Sequence, residues 1–253
     1  MEGISIFTDQ SLKLIRIENL NCMRYIGILS LIALLFLACS DENDMDSVVR
    51  EEMVPNEAAE SAEYMVTFTF NWNSTDFPTN YPSNDHFSRL IGWSHEADES
   101  FFKIGSMASD GIKNMAETGG VSPLDDELKA FIDEGKGYEH YIGSGLSSGT
   151  GEIEILVKVT EQFSSVTLAT MVAPSPDWYI AVIDVNLMEN NSFVNQKTVE
   201  AYVYDAGTDS GTTYTSPNDV SDPQEPITRI VDTPFGDGLE LNATIASVSF
   251  KKM

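Results

Sequence analysis

From Tyr64 onward the chain is a succession of short segments in which apolar and polar residues alternate, and that period decides its fold class. Met65-Val66-Thr67-Phe68-Thr69-Phe70-Asn71-Trp72 sets Val66, Phe68, Phe70 and Trp72 on one face, the two-residue period of a half-buried strand. Six further segments, Ile153–Thr160, Ser165–Val172, Trp178–Leu187, Thr198–Tyr204, Ile227–Val231 and Leu239–Phe250, are rich in Val, Ile, Thr and Tyr and are separated by Gly, Pro, Asn and Asp. Many short strands with turn signals predict an all-β fold, an antiparallel β-sandwich. Two short helices interrupt the series. One is expected over Ser109–Thr118; in the other Ser122 caps, Pro123 takes the first helical position, and Leu124, Leu128, Phe131 and Ile132 recur at helical spacing before Gly135. Both are expected to cover an end of the sheet. No repeat of about 20–50 residues suggests a solenoid or a propeller.

The only cysteines are Cys22 and Cys39, so no disulfide can staple the chain beyond residue 39 and the fold rests on packing. Arg24 precedes an apolar run, Tyr25–Ala38, that is shorter than the roughly 20 residues of a spanning helix. A positive start, a short apolar stretch and a small residue before the cut describe a secretory signal. Phe36-Leu37-Ala38-Cys39 also resembles the lipobox of bacterial lipoproteins, which makes Cys39 the expected lipidation site. On this reading residues 1–22 are an upstream extension, 23–38 the signal peptide, 39–61 an acidic tether and 62–253 the folded domain. Ser40-Asp41-Glu42-Asn43-Asp44 resembles the surface-export signal of some bacterial lipoproteins. The expected location is therefore the outer membrane or cell surface, with the membrane as a partner through the lipid.

Lys and Arg number 14 against 40 Asp and Glu, for a formal net charge of −26. Residues 1–38 carry three cations and three anions, so their removal leaves that charge unchanged. A chain so poor in cations cannot neutralise a phosphate backbone, and nucleic acid is excluded as a partner. Such an excess of carboxylates needs cations or protons wherever several converge. Asp177 stands immediately before one strand segment and Asp205 immediately after the next long one. If the two strands form an antiparallel hairpin, its open end brings Asp177 and Asp205 side by side. In Asp205-Ala206-Gly207-Thr208-Asp209-Ser210-Gly211 the glycines allow a tight loop to return Asp209 toward the pair. Three carboxylates at that range fit Ca²⁺, which takes 6–8 oxygens at roughly 2.3–2.6 Å, better than zinc, which wants His or Cys. Ordinary turn chemistry is the competing explanation of the same aspartates. Asp184, seven residues along an extended strand, would lie roughly 23 Å from Asp177 and could not share the ion.

Trp72 with Asp76-Phe77-Pro78, His86-Phe87-Ser88, Ile91-Gly92-Trp93-Ser94-His95, Pro174-Ser175-Pro176-Asp177-Trp178 and Asp205–Gly211 together resemble the spondin N-terminal domain family. The similarity runs from about Tyr64 to about Pro226. It implies a C2-like antiparallel β-sandwich with a Ca²⁺ site at one end, and the family's metal aspartates fall on Asp177, Asp205 and Asp209. Animal members act in extracellular matrix adhesion, so the resemblance implies a binding module, not an enzyme, with an extracellular protein or glycan as the possible ligand. The family's partner-contacting loop would fall near Gly143–Glu154, where this chain reads GSGLSSGTGEIE.

Two other function classes have residues to speak for them. Gly145-Leu146-Ser147-Ser148-Gly149 matches the GxSxG of a secreted hydrolase, but a nucleophile elbow requires a buried strand before it and a helix after it, and here a strand-like IEILVKV comes next. His86, His95 and His140 could serve as bases or ligands; His86 and His95 are expected to hold loops by hydrogen bonding. The remaining class is a purely structural surface lipoprotein. Trp72 is expected in the core, and an exposed Trp178 would offer a recognition surface beside the ion.

Overall fold

The computed structural model describes residues 60–253. Cys39, the apolar run before it and nearly all of the acidic tether lie outside the described residues. In chain order the strands are β1 (Ser61–Asn71), β2 (His86–Phe87) and β3 (Ile91–His95), the helices α1 (Asp110–Thr118) and α2 (Leu124–Asp133), then β4 (Gly137–Ile142), β5 (Thr150–Thr160), β6 (Ser165–Ala173), β7 (Trp178–Asn186), β8 (Met188–Glu189), β9 (Ser192–Phe193), β10 (Gln196–Asp205), β11 (Thr228–Arg229) and β12 (Ala246–Lys252). The main sheet runs β4-β3-β6-β7-β10-β12-β1-β5, with β2 on β6 and β11 on β10. Every pairing in it is antiparallel. The all-β, sandwich-like class expected from the alternation is what forms, though its two layers are one sheet curled until its edges nearly meet.

At that seam Tyr141 of edge strand β4 reaches Lys158 of edge strand β5. Its hydroxyl donates to the Lys158 carbonyl at 2.7 Å and accepts from the Lys158 amide at 3.0 Å. The two backbone groups that closure leaves over at this point are thereby satisfied, as buried polar groups must be.

Inside the curl lies the main core. β1 contributes Tyr64, Val66, Phe68, Phe70 and then Trp72, all buried, on the face its alternation marks out. β6 is buried at every position because both its faces are covered. Val166, Leu168 and Val172 face the inner core, while Ala169, Met171 and Ala173 join a second cluster beneath the helices. That cluster takes Ile112, Met115 and Ala116 from α1, Leu124 and Leu128 from α2, and Tyr179, Ala181 and Tyr204 from the sheet. The helices thus cover an outer face of the sheet, not its end. They are tied together by Glu127 of α2, which accepts from the Ser109 hydroxyl at 2.6 Å and the Gly111 amide at 2.8 Å at the start of α1.

Five expectations are corrected here. The strand placed over Leu239–Phe250 begins only at Ala246, and that over Ile227–Val231 shrinks to Thr228–Arg229; turns at Asp232–Gly238 interrupt the ladder. β3 and β4 are additional to the expected strands, since Ile91–His95 is buried throughout and presents no alternation. Pro123 occupies the N-cap of α2, with no side-chain cap bond there, so Ser122 does not cap the helix and Pro123 is not its first residue. Finally, β7 is not extended to Asp184. Ile183 and Asp184 together oppose Thr167 in a bulge, with Asp184 at φ 51° and its amide donating to the Thr167 hydroxyl at 2.9 Å. The extra residue shifts the parity: Trp178, Ile180 and Val182 face the inner core before it, Val185 and Leu187 after it. Without the bulge Asp184 would point into that core.

Candidate metal centre

β7 and β10 pair from Trp178↔Asp205 to Ala181↔Tyr202. The open end of this hairpin therefore carries Asp177 and Asp205 on adjacent strands, and the Ala206 amide donates to the Asp177 carbonyl at 3.2 Å to close it. The juxtaposition expected from the sequence is present. Beyond Asp205 the chain turns through Gly207 at φ 71°, where a Cβ would lie 2.1 Å from the Glu225 carbonyl oxygen. Only glycine fits there, and the turn it allows sends Thr208 and Asp209 back over Asp177.

Asp177 is fully buried. Its Oδ2 accepts from the Thr208 amide at 2.7 Å, the Thr208 hydroxyl at 3.2 Å and the Asp209 amide at 3.1 Å. Its Oδ1 is buried with no hydrogen-bond partner. Burial, and then the charge of Asp205, push the Asp177 carboxyl up to about 6, against the pull of those three donors. Asp205 accepts from the Gly207 amide on Oδ1 at 2.7 Å and from the Trp178 indole on Oδ2 at 3.2 Å. Its carboxyl is raised as well, first by burial, with Glu225 and Asp209 adding to the rise. Asp209 is buried, its Oδ1 taken by the Gly211 amide at 2.8 Å and its Oδ2 by the Asp219 amide at 3.0 Å.

The loop thus converges on Asp177, but the three carboxylates do not stand as a finished cage. Among the described residues no group of three or more His, Cys, Asp or Glu side chains is arranged to hold a metal ion as it stands. The donor set nevertheless fits a hard cation. One buried carboxylate oxygen is wholly unpartnered, and each oxygen of Asp205 and Asp209 accepts one hydrogen bond and keeps a second lone pair. Asp184 stands apart, as expected: its Oδ2 accepts from the Asp98 amide at 3.1 Å at the bulge.

Beneath the loop is an aromatic cluster in which Tyr214 packs against Trp72, Trp178 and Phe235 with ring centroids 5.2–5.6 Å apart. Trp72 is core, as expected. Trp178 is only 3% exposed, so it offers no recognition platform beside the aspartates and instead orients Asp205. That role is not legible from an alternating strand, which leaves the indole N–H unassigned.

The remaining candidates are placed elsewhere. His95 is buried, its Nδ1 on the Glu96 carbonyl at 2.7 Å and its Nε2 on the Thr167 hydroxyl at 2.8 Å. A carbonyl only accepts, so Nδ1 carries the proton and Nε2 accepts from Thr167. His86 similarly bonds the Asn84 carbonyl through Nδ1 at 2.7 Å. Both hold loops. His140 lies on β4, half-buried. Ser147 sits in the loop between β4 and β5, exposed and succeeded by a strand, which is not the strand–turn–helix of a nucleophile elbow. It lines a cleft of about 560 Å³ with Asp85, His86 and Ser148. Among the described residues no helix is long and apolar enough to cross a membrane.

Comparison with known proteins gives the family context. The Spondin_N profile matches residues 62–237. Human Spondin-2 is 34% identical over 174 residues, 67% of this chain and 52% of that protein. Spondin-1 of Bos taurus and of Homo sapiens are each 32% identical over 197 residues, 75% of this chain and 24% of those proteins. The chain therefore spans about half the length of the Spondin-2 relatives and a quarter of Spondin-1. All the aspartates of the candidate centre lie inside the matched segment.

Proposed function

Because the chain belongs to the Spondin_N family, we propose that its domain is an extracellular binding or adhesion module carried on a surface lipoprotein, with one Ca²⁺ held by Asp177, Asp205 and Asp209. The observation that carries this reading is the buried, unpartnered Oδ1 of Asp177 beside a second, half-buried carboxylate. A lone buried carboxylate oxygen costs several kcal/mol unless a proton or a cation neutralises it. All three side chains are carboxylates, the donor type that suits calcium more than zinc or copper.

When bound, the ion would supply positive charge that joins the Asp205–Gly211 turn to the end of β7. The chain's own residues do the rest: Gly207 permits the turn, Trp178 orients Asp205, and Tyr214 anchors the following segment in the aromatic cluster. The loops at this end then form a fixed surface for an extracellular protein or glycan. No residue is assigned a catalytic role. Diacylation of Cys39 would tether the module to the membrane, and the acidic segment after it would favour the outer surface.

Calorimetric titration of Ca²⁺ into the chelator-treated protein, with thermal melts alongside, tests the reading. One ion per chain and a higher melting temperature are expected; absence of binding at millimolar Ca²⁺ refutes it. Mass spectrometry of the membrane fraction tests the anchor, which predicts a diacylated N-terminal Cys39 and loss of membrane association in Cys39→Ser.

A further inference from the structure

We infer that Thr208 is the positioning residue of the candidate ion site, and that Oδ1 of Asp177 is the oxygen it leaves facing the cation. This rests on the proposed calcium reading and adds to it which atom binds and what aims it. Thr208 is buried and touches Asp177 through two groups: its amide at 2.7 Å and its hydroxyl at 3.2 Å, both on Oδ2. With the Asp209 amide at 3.1 Å, three donors converge on that one oxygen. Oδ1 receives none. Asp205 and Asp209 divide their donors, one amide or indole on each oxygen; Asp237, in an exposed turn, takes two amides on one oxygen but stands in water, whereas the oxygen left over at Asp177 is buried. The asymmetry at Asp177 fixes the carboxylate plane and reserves one oxygen. Thr208 itself is held from behind, its carbonyl accepting from the Ser221 amide at 3.0 Å, which fixes the backbone that carries its donors.

Partners of this kind typically change metal affinity by about 10–100-fold when removed. Thr208→Val keeps the side-chain shape and the amide but deletes the hydroxyl; Thr208→Ser keeps the hydroxyl. Calcium titration of the full chain, at a temperature well below every melt, is expected to give a dissociation constant raised at least about tenfold in Thr208→Val and restored to within about threefold of wild type in Thr208→Ser. Tyr141→Phe, which loses two hydrogen bonds at the distant seam, controls for destabilisation alone and is expected to keep the wild-type constant. Binding by wild type with an equal constant in Thr208→Val overturns the positioning role and leaves the calcium reading intact. An affinity lost equally in Thr208→Val and Tyr141→Phe also overturns it. No binding by wild type overturns both.

Discussion

Replacing Asp177 by Asn is expected to change the stability of the protein in opposite directions with and without calcium. The buried carboxyl is raised from 3.8 to about 6. At about 1.36 kcal/mol per pH unit, the charged form therefore costs about 3 kcal/mol at about pH 7.5 in the absence of a cation. Asn removes that charge while its amide oxygen still accepts from Thr208 and Asp209. That figure is already net of the stronger bonds the donors make to a charged acceptor; what offsets the gain is the Asn Nδ2, which would stand buried without an acceptor where Oδ1 stood, at about 1–3 kcal/mol. In chelator the variant should thus melt at or slightly above the wild type. In calcium the order reverses. At about a hundredfold excess over the dissociation constant the wild type gains about 2.7 kcal/mol that the variant cannot. For a domain of this size that is about 5–11 °C in melting temperature. The assay is a pair of thermal melts, in chelator and in millimolar Ca²⁺, for both proteins. A variant destabilised by the same amount in both buffers would refute the reasoning, because it would mean that the carboxylate serves the turn and nothing else.

The same geometry sets four further outcomes. Because the Asp177 carboxyl is raised, its contribution to stability in chelator is full below about pH 3.8 and is lost as pH rises through about 6; calcium titrated at about pH 6 should release a substantial fraction of a proton per ion, read from the buffer dependence of the heat. His95 is held below its ordinary range by burial, so the unfolded chain takes up its proton first and stability should fall as pH drops through about 6.5, a slope that His95→Gln should flatten in pH-dependent melts. Tyr141→Phe should cost roughly 1–3 kcal/mol in urea unfolding, since the Lys158 amide and carbonyl lose their shared partner at the seam; an unchanged midpoint would mean that water replaces it. Gly207→Ala, at φ 71° and against the Glu225 carbonyl, should destabilise by more than about 1 kcal/mol and abolish calcium binding, and calorimetry would expose any variant that still binds.

How much of this molecule is legible in its sequence depends on the reach of each signal. Alternation in β1 and β10 needs only one wetted face, so those strands can be read directly; β3, buried at every position, has no alternation to show. The aspartate pair is legible because two strands separated by a connection of about ten residues leave few ways to fold, and the open end of an antiparallel hairpin is set by its register. The bulge at Asp184 is not, because a residue added to one strand is visible only against its partner, and it is Thr167, on the neighbouring strand, that takes up the extra amide.

The division of labour among the aspartates lies beyond sequence for a related reason. Asp177, Asp205 and Asp209 have the same chemistry along the chain, and only the return of the loop through Gly207 decides that three donors meet on one oxygen of one of them. Asp209 is the clearest case. The sequence puts it in reach of the other two, and in the structure it is its amide that touches Asp177 while its carboxylate bonds Gly211 and Asp219. If Asp209 ligates through Oδ2, that oxygen must share or release the Asp219 amide. The segment from Ser210 to Ser221 is then mechanically tied to the ion, since Ser210 and Ser221 are themselves bonded to Asp219 and Thr208. Hydrogen exchange would report this directly: the Asp219 amide should change its protection on calcium addition in the wild type and not in Asp209→Asn. If the Asp219 and Gly211 amides, one on each oxygen of Asp209, are both indifferent to calcium in a protein that binds the ion, Asp209 leaves the ligand set and Asp177 and Asp205 hold the ion with main-chain oxygens and water.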